Sequence, residues 1–340
     1  MATTTRSPHD PVGLDLKNLR HFMDTRHPGL VSGILTGTVL EGGRSNLTYL
    51  VGDGTTKWVV RRPPLGDILP TAHDVVREYL ILDTLVDTTV PVPRPLALCT
   101  AETEADAPFY VMEYVEGTVY RSDAQLTAIG PQRTRTITDA LIDTLVDLHH
   151  VDPADVLTAV GGRPEGFLQR QLVRWTTQLD RSRNRDLPVL DALAEQLSRC
   201  IPASGAPSIV HGDYRLDNTL VDKGQIVAVL DWEMATVGDP LTDVALMIAY
   251  GEAARIGVGA IGTATGYPSA REIGDRYARA TRRDVSAIPW YLGLSYFKLA
   301  VIAEGIHNRF TRGHTVGGGF ADIGSAVTPL AQLGTDALKE

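Results

Sequence analysis

Two hydrophobic patterns divide this chain. Up to about residue 117, apolar residues come in short β-rich runs. "VSGILTGTVLEGG" (31–43) and "NLTYLVGDGTTKWVVRR" (46–62) predict strands, as do "PVPRPLALC" (91–99) and "FYVMEYVEG" (109–117). "GDG" (52–54) sits between two apolar runs and predicts a hairpin turn, because Asp-Gly tolerates the positive φ of a type I′ turn. One segment here, "HDVVREYLILDTLV" (73–86), has helical spacing instead. Beyond residue 120 the helical spacing dominates, predicting helices over 131–150, 165–182, 187–200, 241–250, 270–283, 288–310 and 320–337. The expected class is α+β, with a small β-rich lobe followed by a larger helical lobe and Gly117 near the junction. No internal repeat or low-complexity block interrupts this order.

One stretch in the helical half breaks the pattern. "IVHGDYRLDNTLVDKGQIVAVLDWEMATVGDP" (209–240) sets Asp213, Asp217, Asp222, Asp231 and Asp239 beside apolar runs that read as buried strands. Any one of these acids, taken alone, reads as a turn cap. Together they have a chemical alternative. "IVAVL" (226–230) reads as a short buried strand ending at Asp231, and an acid at a strand end with an amide ligand such as Asn218 offers hard oxygen donors of the kind Mg²⁺ prefers. Asp213, five residues before Asn218 and apart from the metal, is placed to accept a proton from a hydroxyl. Phosphoryl transfer needs that layout: a positioned acceptor oxygen, neutralised phosphate charge and excluded water.

Composition narrows the partners. The 340 residues are 43% hydrophobic and 21% charged, with a formal charge of −9. That balance is globular and disfavours wholesale binding to nucleic acid or an anionic membrane. No apolar run approaches the roughly 18–20 residues of a membrane span. "MATTTRSPHDPVG" (1–13) lacks a signal-peptide core and reads as a loose tail. Cys99 and Cys200 form neither a metal spacing nor a disulfide framework, so a reducing, cytoplasmic setting is expected. Five of the 32 basic residues are Lys, so Arg supplies most of the positive charge.

"HGDYRLDN" (211–218) and "LDWEMATVGDPLTDVA" (230–245) resemble the catalytic segments of aminoglycoside-phosphotransferase-type kinases, relatives of the protein kinases. The resemblance covers nearly the whole chain and implies a protein-kinase-like two-lobe fold using ATP and Mg²⁺. It implies a tail over 1–13, an N-lobe over 14–113, a hinge over 114–118 and a C-lobe over 119–340. Asp213 takes the place of the catalytic base, Asn218 and Asp231 those of the Mg²⁺ ligands, and Arg215 that of a Lys that meets the transferring phosphate. His211, His149, Asp239 and Asp243 read as structural, Asp239 as a helix N-cap and Asp243 as a buried acid bonding back to the catalytic loop. In "LEGGRSNLTYLV" (40–51), Gly42, Gly43 and Ser45 match the phosphate loop. In "WVVRR" (58–62), Arg61 stands where these kinases carry a Lys, a departure that alters phosphate-contact geometry. Glu78 matches the acid that pairs with that basic residue. Met112 matches the adenine-pocket wall, and backbone groups of Glu113 and Val115 match those that meet the base edge.

The acceptor, a small molecule with a hydroxyl, is less legible. "FLQRQLVRWTTQLDRS", "RRPP" and "SYFKLAVIAEGIHNRF" resemble the branch that includes the kinase-like domain fused to some acyl-CoA dehydrogenases, which implies a hydroxyacyl-CoA acceptor. Charge leans the same way: residues 161–200 carry seven Arg against five acids, whereas 201–250 carry two basic residues against seven acids. An aminoglycoside is a polycation and favours an acidic wall; an acyl-CoA favours Arg. Trp175 and Trp290 read as core or as an acyl channel. Aminoglycoside or other metabolite kinases, a nucleotide-binding pseudokinase and a metal-dependent hydrolase remain alternatives, and oligomeric state is not legible.

Overall fold

The computed structural model describes residues 10–40, 46–65, 74–100, 107–313 and 322–339. Its chain divides into two compact units, one of Met1–Gly117 with Val227–Glu233 and the other of Thr118–Ile226 with Met234–Glu340.

The first unit is built on a five-stranded antiparallel sheet in the order β1-β2-β3-β5-β4. Its strands are β1 (Thr36–Val39), β2 (Leu47–Gly52), β3 (Lys57–Arg62), β4 (Pro95–Cys99) and β5 (Phe109–Glu113). Tyr49, Val51, Trp58, Val60, Cys99 and Val111 pack with Leu19, Phe22 and Met23 into one core. The last three lie on α1 (Leu16–Arg26), a helix absent from the expectation of strands around a single helix. Asp15 caps it by accepting the Asn18 N–H at 2.9 Å. Helix α2 (Val75–Leu85) appears where the spacing placed it.

Two local expectations are corrected. The loop after β2 is not a two-residue type I′ turn, because β3 starts only at Lys57. Asp53 accepts the N–H groups of Thr55 and Thr56, and from further away that of Ser32. Those bonds stabilise a wider loop and hold the Asp53 carboxyl well below the usual carboxylate range. The strand expected over 109–117 stops at Glu113, and Tyr114–Gly117 runs without regular structure to a bridge between Thr118 and Val221.

The second unit is mainly helical: α3 (Asp123–Ile129), α4 (Pro131–His150), α5 (Ala154–Val160), α6 (Phe167–Ser182) and α7 (Pro188–Arg199). Then follow β6 (Ser208–Val210), β7 (Thr219–Asp222) and β9 (Thr236–Gly238), with β6 and β9 paired antiparallel, while β8 (Gln225–Val229) enters the first unit from Val227 on. β7 leads into β8 through Lys223 and Gly224, both at positive φ. Helices α8 (Leu241–Arg255), α9 (Ala270–Thr281), α10 (Ile288–Thr311) and α11 (Val327–Ala337) complete the unit. α4 and α7 begin on Pro, which fits a first turn with no N–H partner to lose, and α9 opens on a Ser269–Glu272 capping box. The short helices α3 and α5 were not legible, α8 runs past its expected end, and the last helix opens with a 3₁₀ turn over Ile323–Ala326. α10 is buried along most of its length, packing against α6, α7, α8 and α11. Trp175 and Trp290 are both buried, and the Trp290 indole N–H donates to the Leu197 carbonyl at 3.0 Å.

At the end of α4, His149 is fully buried. Its Nε2 lies 3.4 Å from Asp243 and its Nδ1 lies 2.8 Å from the Tyr277 hydroxyl. The neutral tautomer protonated at Nε2 satisfies both contacts, with the Tyr277 hydroxyl donating to Nδ1. Burial pushes the imidazole below its ordinary 6.5, and the neighbouring Asp243 only partly opposes this. As pH falls through 6.5 the unfolded chain gains a proton that the native chain refuses. The stability from neutral His149 is therefore complete above that pH and is lost below it. Gln does not titrate, so the melting-temperature gap between the natural chain and His149→Gln should shrink when pH drops from about 7.5 to about 5.5. A gap that stays constant in thermal scans across that range would contradict the assignment.

Candidate active site

In the first unit, β3 and α2 bring Arg61 and Glu78 together. Arg61 Nε lies 3.0 Å from Glu78 Oε2, an ion pair without hydrogen-bond alignment. Arg61 Nη2 donates to Asp231 Oδ1 at 2.6 Å. Glu78 Oε1 in turn accepts the Trp232 N–H at 3.3 Å, so the helix acid holds both the strand cation and the backbone that follows Asp231. Asp231 has φ +66°, a left-handed conformation that a non-glycine residue keeps only when its surroundings enforce it. Burial pushes the Glu78 carboxyl up to about 7; Arg61 opposes this, and Asp231 and Glu233 push further. Burial also disfavours the Arg61 charge, but Glu78, Tyr110 and Asp231 outweigh it and hold the guanidinium protonated.

The other expected nucleotide contacts are in part described. Met112 is buried on β5, and the Glu113 N–H donates to the Arg94 carbonyl at 2.9 Å, so that N–H is already engaged. Val115 follows in the irregular segment. Gly42, Gly43 and Ser45 lie outside the described residues.

In the second unit the HGD segment lies between β6 and a 3₁₀ turn over Leu216–Asn218. Asp243, fully buried in the first turn of α8, accepts the N–H groups of His211 at 2.6 Å and Gly212 at 2.8 Å. The expected bond from Asp243 back to the catalytic loop is therefore present. Burial raises the Asp243 carboxyl, but the His149 contact and the Gly212 N–H outweigh it and hold the group ionised, below its usual range. Asp239 supports the same helix: it accepts the Leu241 N–H at 3.0 Å and the Tyr291 hydroxyl at 2.8 Å. Gly212 has φ +82°, and an added Cβ would fall 2.9 Å from the Met234 carbonyl oxygen, so glycine is required here. His211 is buried against Tyr214, and its Nδ1 accepts the Asp213 N–H at 3.2 Å.

These constraints present Asp213. Asn218 Nδ2 donates to its Oδ2 and to its main-chain carbonyl, both at 2.9 Å. The Tyr250 hydroxyl donates to Oδ1 at 2.8 Å. Arg215 Nε lies 3.3 Å from Oδ2, and Arg215 Nη1 lies 3.3 Å from Asp217. The Arg215 guanidinium stacks on the Tyr250 ring, 4.8 Å from its centroid. Lys298 Nζ donates to the Gly212 carbonyl at 2.6 Å, and burial lowers its pKa against the pull of Asp213. Sequence reasoning missed Tyr250 and Lys298. Tyr250 was visible only as the end of an expected helix, and Lys298 only as one of five Lys in an Arg-rich chain.

A partly exposed Asp fixed by a downstream Asn, and a strand cation paired with a helix acid, on an antiparallel sheet and a helical unit, define the class: a kinase-like phosphotransferase. The comparisons agree. The sequence profile of the phosphotransferase enzyme family matches residues 36–273, and the chain belongs to that family. Acyl-CoA dehydrogenase family member 11 of Rattus norvegicus is 33% identical over 333 residues, covering 94% of this chain and 43% of that protein. The human protein of the same name is 31% identical, again covering 43% of its length, so the chain spans less than half of these curated relatives. The crystal structure of a "putative aminoglycoside phosphotransferase" from Ralstonia eutropha is 30% identical with a TM-score of 0.83, covering 96% of this chain and 98% of that one. Plasmodium vivax ethanolamine kinase, at 14% identity and a TM-score of 0.64 over 94% of this chain and 89% of that one, shares the fold.

Asp243→Asn is nearly isosteric but turns an NH₂ toward one of two main-chain N–H donors, that of His211 buried and that of Gly212 partly so. It should destabilise the chain by about 2–4 kcal/mol, since the donors keep their desolvation cost and lose an acceptor. Urea titration followed by circular dichroism would check this, and an unchanged midpoint would contradict it.

Proposed function

We propose that the chain transfers the γ-phosphoryl group of ATP to the hydroxyl of a small molecule. The observation that carries this reading is the presentation of Asp213, whose side chain is 22% exposed while Asn218 and Tyr250 hold one oxygen each. In the step, the acceptor hydroxyl oxygen forms a bond to the γ-phosphorus. The bond from that phosphorus to the β,γ-bridging oxygen breaks, ADP leaves with the electron pair, and the hydroxyl proton passes to the Asp213 carboxylate. Arg61, tied by Glu78, balances phosphate charge. Met112, the Glu113 carbonyl and the Val115 N–H meet the adenine, with Gly42, Gly43 and Ser45 along the phosphates.

Asp231 and Asn218 would hold Mg²⁺. Both offer oxygen: the Asn218 amide nitrogen is engaged by Asp213, which leaves its carbonyl oxygen for a cation. No group of three His, Cys, Asp or Glu gathers as a metal site among the described residues. That suits an ion that takes its other ligands from water and substrate phosphates. When bound, Mg²⁺ neutralises charge on the transferring group. Arg215 at rest lies against Asp213 and is within the same cluster as the reacting hydroxyl would be.

The acceptor reading is a hydroxyacyl-CoA. In the second unit an open pocket of about 390 Å³ is lined by Arg163, Phe167, Arg170, Gln171, Thr236 and neighbours, at the start of α6. Two guanidinium groups beside an aromatic ring suit an acceptor with an anionic end and an apolar body. Arg170 itself donates to the Glu165 and Arg163 carbonyls, and other arginines of these helices pair with acids: Arg183 with Asp191, Arg185 with Glu304 and Arg276 with Asp143. The relatives named as acyl-CoA dehydrogenases support the same class. No helix among the described residues is long and apolar enough to cross a membrane, and the two free cysteines accord with a cytoplasmic setting.

ADP formation from Mg·ATP should be stimulated by hydroxyacyl-CoA esters and not by aminoglycosides. Asp213→Asn should lower turnover by about 10²–10⁴-fold while keeping Mg²⁺-dependent thermal protection by ATP. Turnover on aminoglycosides alone would overturn the acceptor class. Full activity in Asp213→Asn would overturn the base assignment. Arg61 in place of Lys favours a pseudokinase as the second reading, which predicts ATP protection with no turnover on either panel.

A further inference from the structure

Helix α8 touches the catalytic loop twice. Asp243, in its first turn, holds the loop backbone at His211 and Gly212. Tyr250 lies seven residues later, about two turns along the helix and on the same face. Its hydroxyl is the donor to Asp213 Oδ1, at 2.8 Å. The opposite oxygen, Oδ2, is contacted by Asn218 Nδ2 at 2.9 Å and approached by Arg215 Nε at 3.3 Å. The carboxylate plane is thus set by two donors on opposite oxygens, one from its own loop and one from α8. Burial and the neighbouring Asp213 push the Tyr250 phenol well above its ordinary value, so it stays protonated and can only donate while the carboxylate is charged. Its ring also carries the Arg215 guanidinium.

We propose that Tyr250 is the positioning residue of the phosphoryl-transfer base: it fixes the rotation of the Asp213 carboxylate so that a free lone pair faces the acceptor hydroxyl. This rests on the reading of Asp213 as the base. Without the phenol, the carboxylate turns about its Cβ–Cγ bond toward Arg215, the nearest remaining cation, and the productive orientation is populated less. Tyr250→Phe isolates this role because it removes the hydroxyl and keeps the ring under Arg215.

Turnover of Mg·ATP is measured with 4-hydroxybutyryl-CoA as acceptor, and with water as acceptor if the ester is not phosphorylated. Tyr250→Phe should lower kcat by about 10–100-fold, the range for losing a hydrogen bond to a charged group. KM for ATP and for the acceptor should stay within about threefold, because the variant alters the base's orientation and not the binding groups, and the melting temperature should fall by only a few degrees, the cost of one lost hydrogen bond. In an Asp213→Asn background the same substitution should cost less than about twofold, since residues acting through one group are non-additive. Unchanged kcat in Tyr250→Phe would overturn the proposal, as would a loss seen only in KM or only in melting temperature. An equal loss in both backgrounds would show that Tyr250 acts independently of Asp213 and would overturn it too. If Asp213→Asn alone is fully active, the base reading itself fails, which is a separate result from an active Tyr250→Phe beside an inactive Asp213→Asn.

Discussion

The second unit's chemistry depends on one buried carboxylate. Asp243 accepts two consecutive backbone N–H groups, and without it the buried His211 donor and the half-buried Gly212 donor would lose the acceptor they hold. An ionised acid costs a great deal to bury, and here its charge is met by two aligned N–H dipoles and the Nε2 side of His149. The acid stands at the start of a helix, where the macrodipole also favours negative charge. Once the backbone of His211 and Gly212 is fixed, Gly212 takes its left-handed turn and Asp213 emerges toward Asn218 and Tyr250. Tyr214, pointing the other way, anchors the loop through its hydroxyl to the Leu141 carbonyl at 2.7 Å.

The first unit follows a similar logic. Glu78 is the buried acid, and it organises a guanidinium and a main-chain N–H instead of two main-chain groups. In both units, then, a carboxylate inside the fold determines how the exposed chemistry is presented. In each unit an arginine also rests on an aspartate, Arg61 on Asp231 in the first and Arg215 on Asp213 in the second.

What could be read from the sequence follows from how local each feature is. Asp213, Asn218 and Asp231 lie in one short stretch with fixed spacing, so they stood out. The partnership of Arg61 with Glu78 was legible through family resemblance, because a strand-to-helix pair has no local signature. Helices α4, α6 and α7 were placed nearly to their ends, since amphipathic spacing reports a buried face directly. The short α3 and α5 span too few turns for that signal. Helix α1 was missed although Leu16, Leu19, Phe22 and Met23 keep helical spacing; it lies just after the expected tail of 1–13, at the start of a lobe expected to be strands around one helix. Tyr250 and Lys298 reach the loop from 37 and 86 residues away, and nothing in their neighbours marks them as different from other helix residues. The wide loop at Asp53 escaped for a related reason, since a side chain that bonds its own backbone competes with the turn its dipeptide suggests.

The arginine at position 61 has a consequence for acidity. A buried lysine gives up its proton readily, so a site built on one changes charge with its surroundings. A guanidinium does not, and Arg61 remains a fixed cation through the physiological range. Its partner is shaped by burial instead: desolvation pushes the Glu78 carboxyl up to about 7, and the fixed Arg61 charge is what holds it from rising further. An arginine on β3 thus gives the buried acid on α2 a counter-charge that pH does not remove.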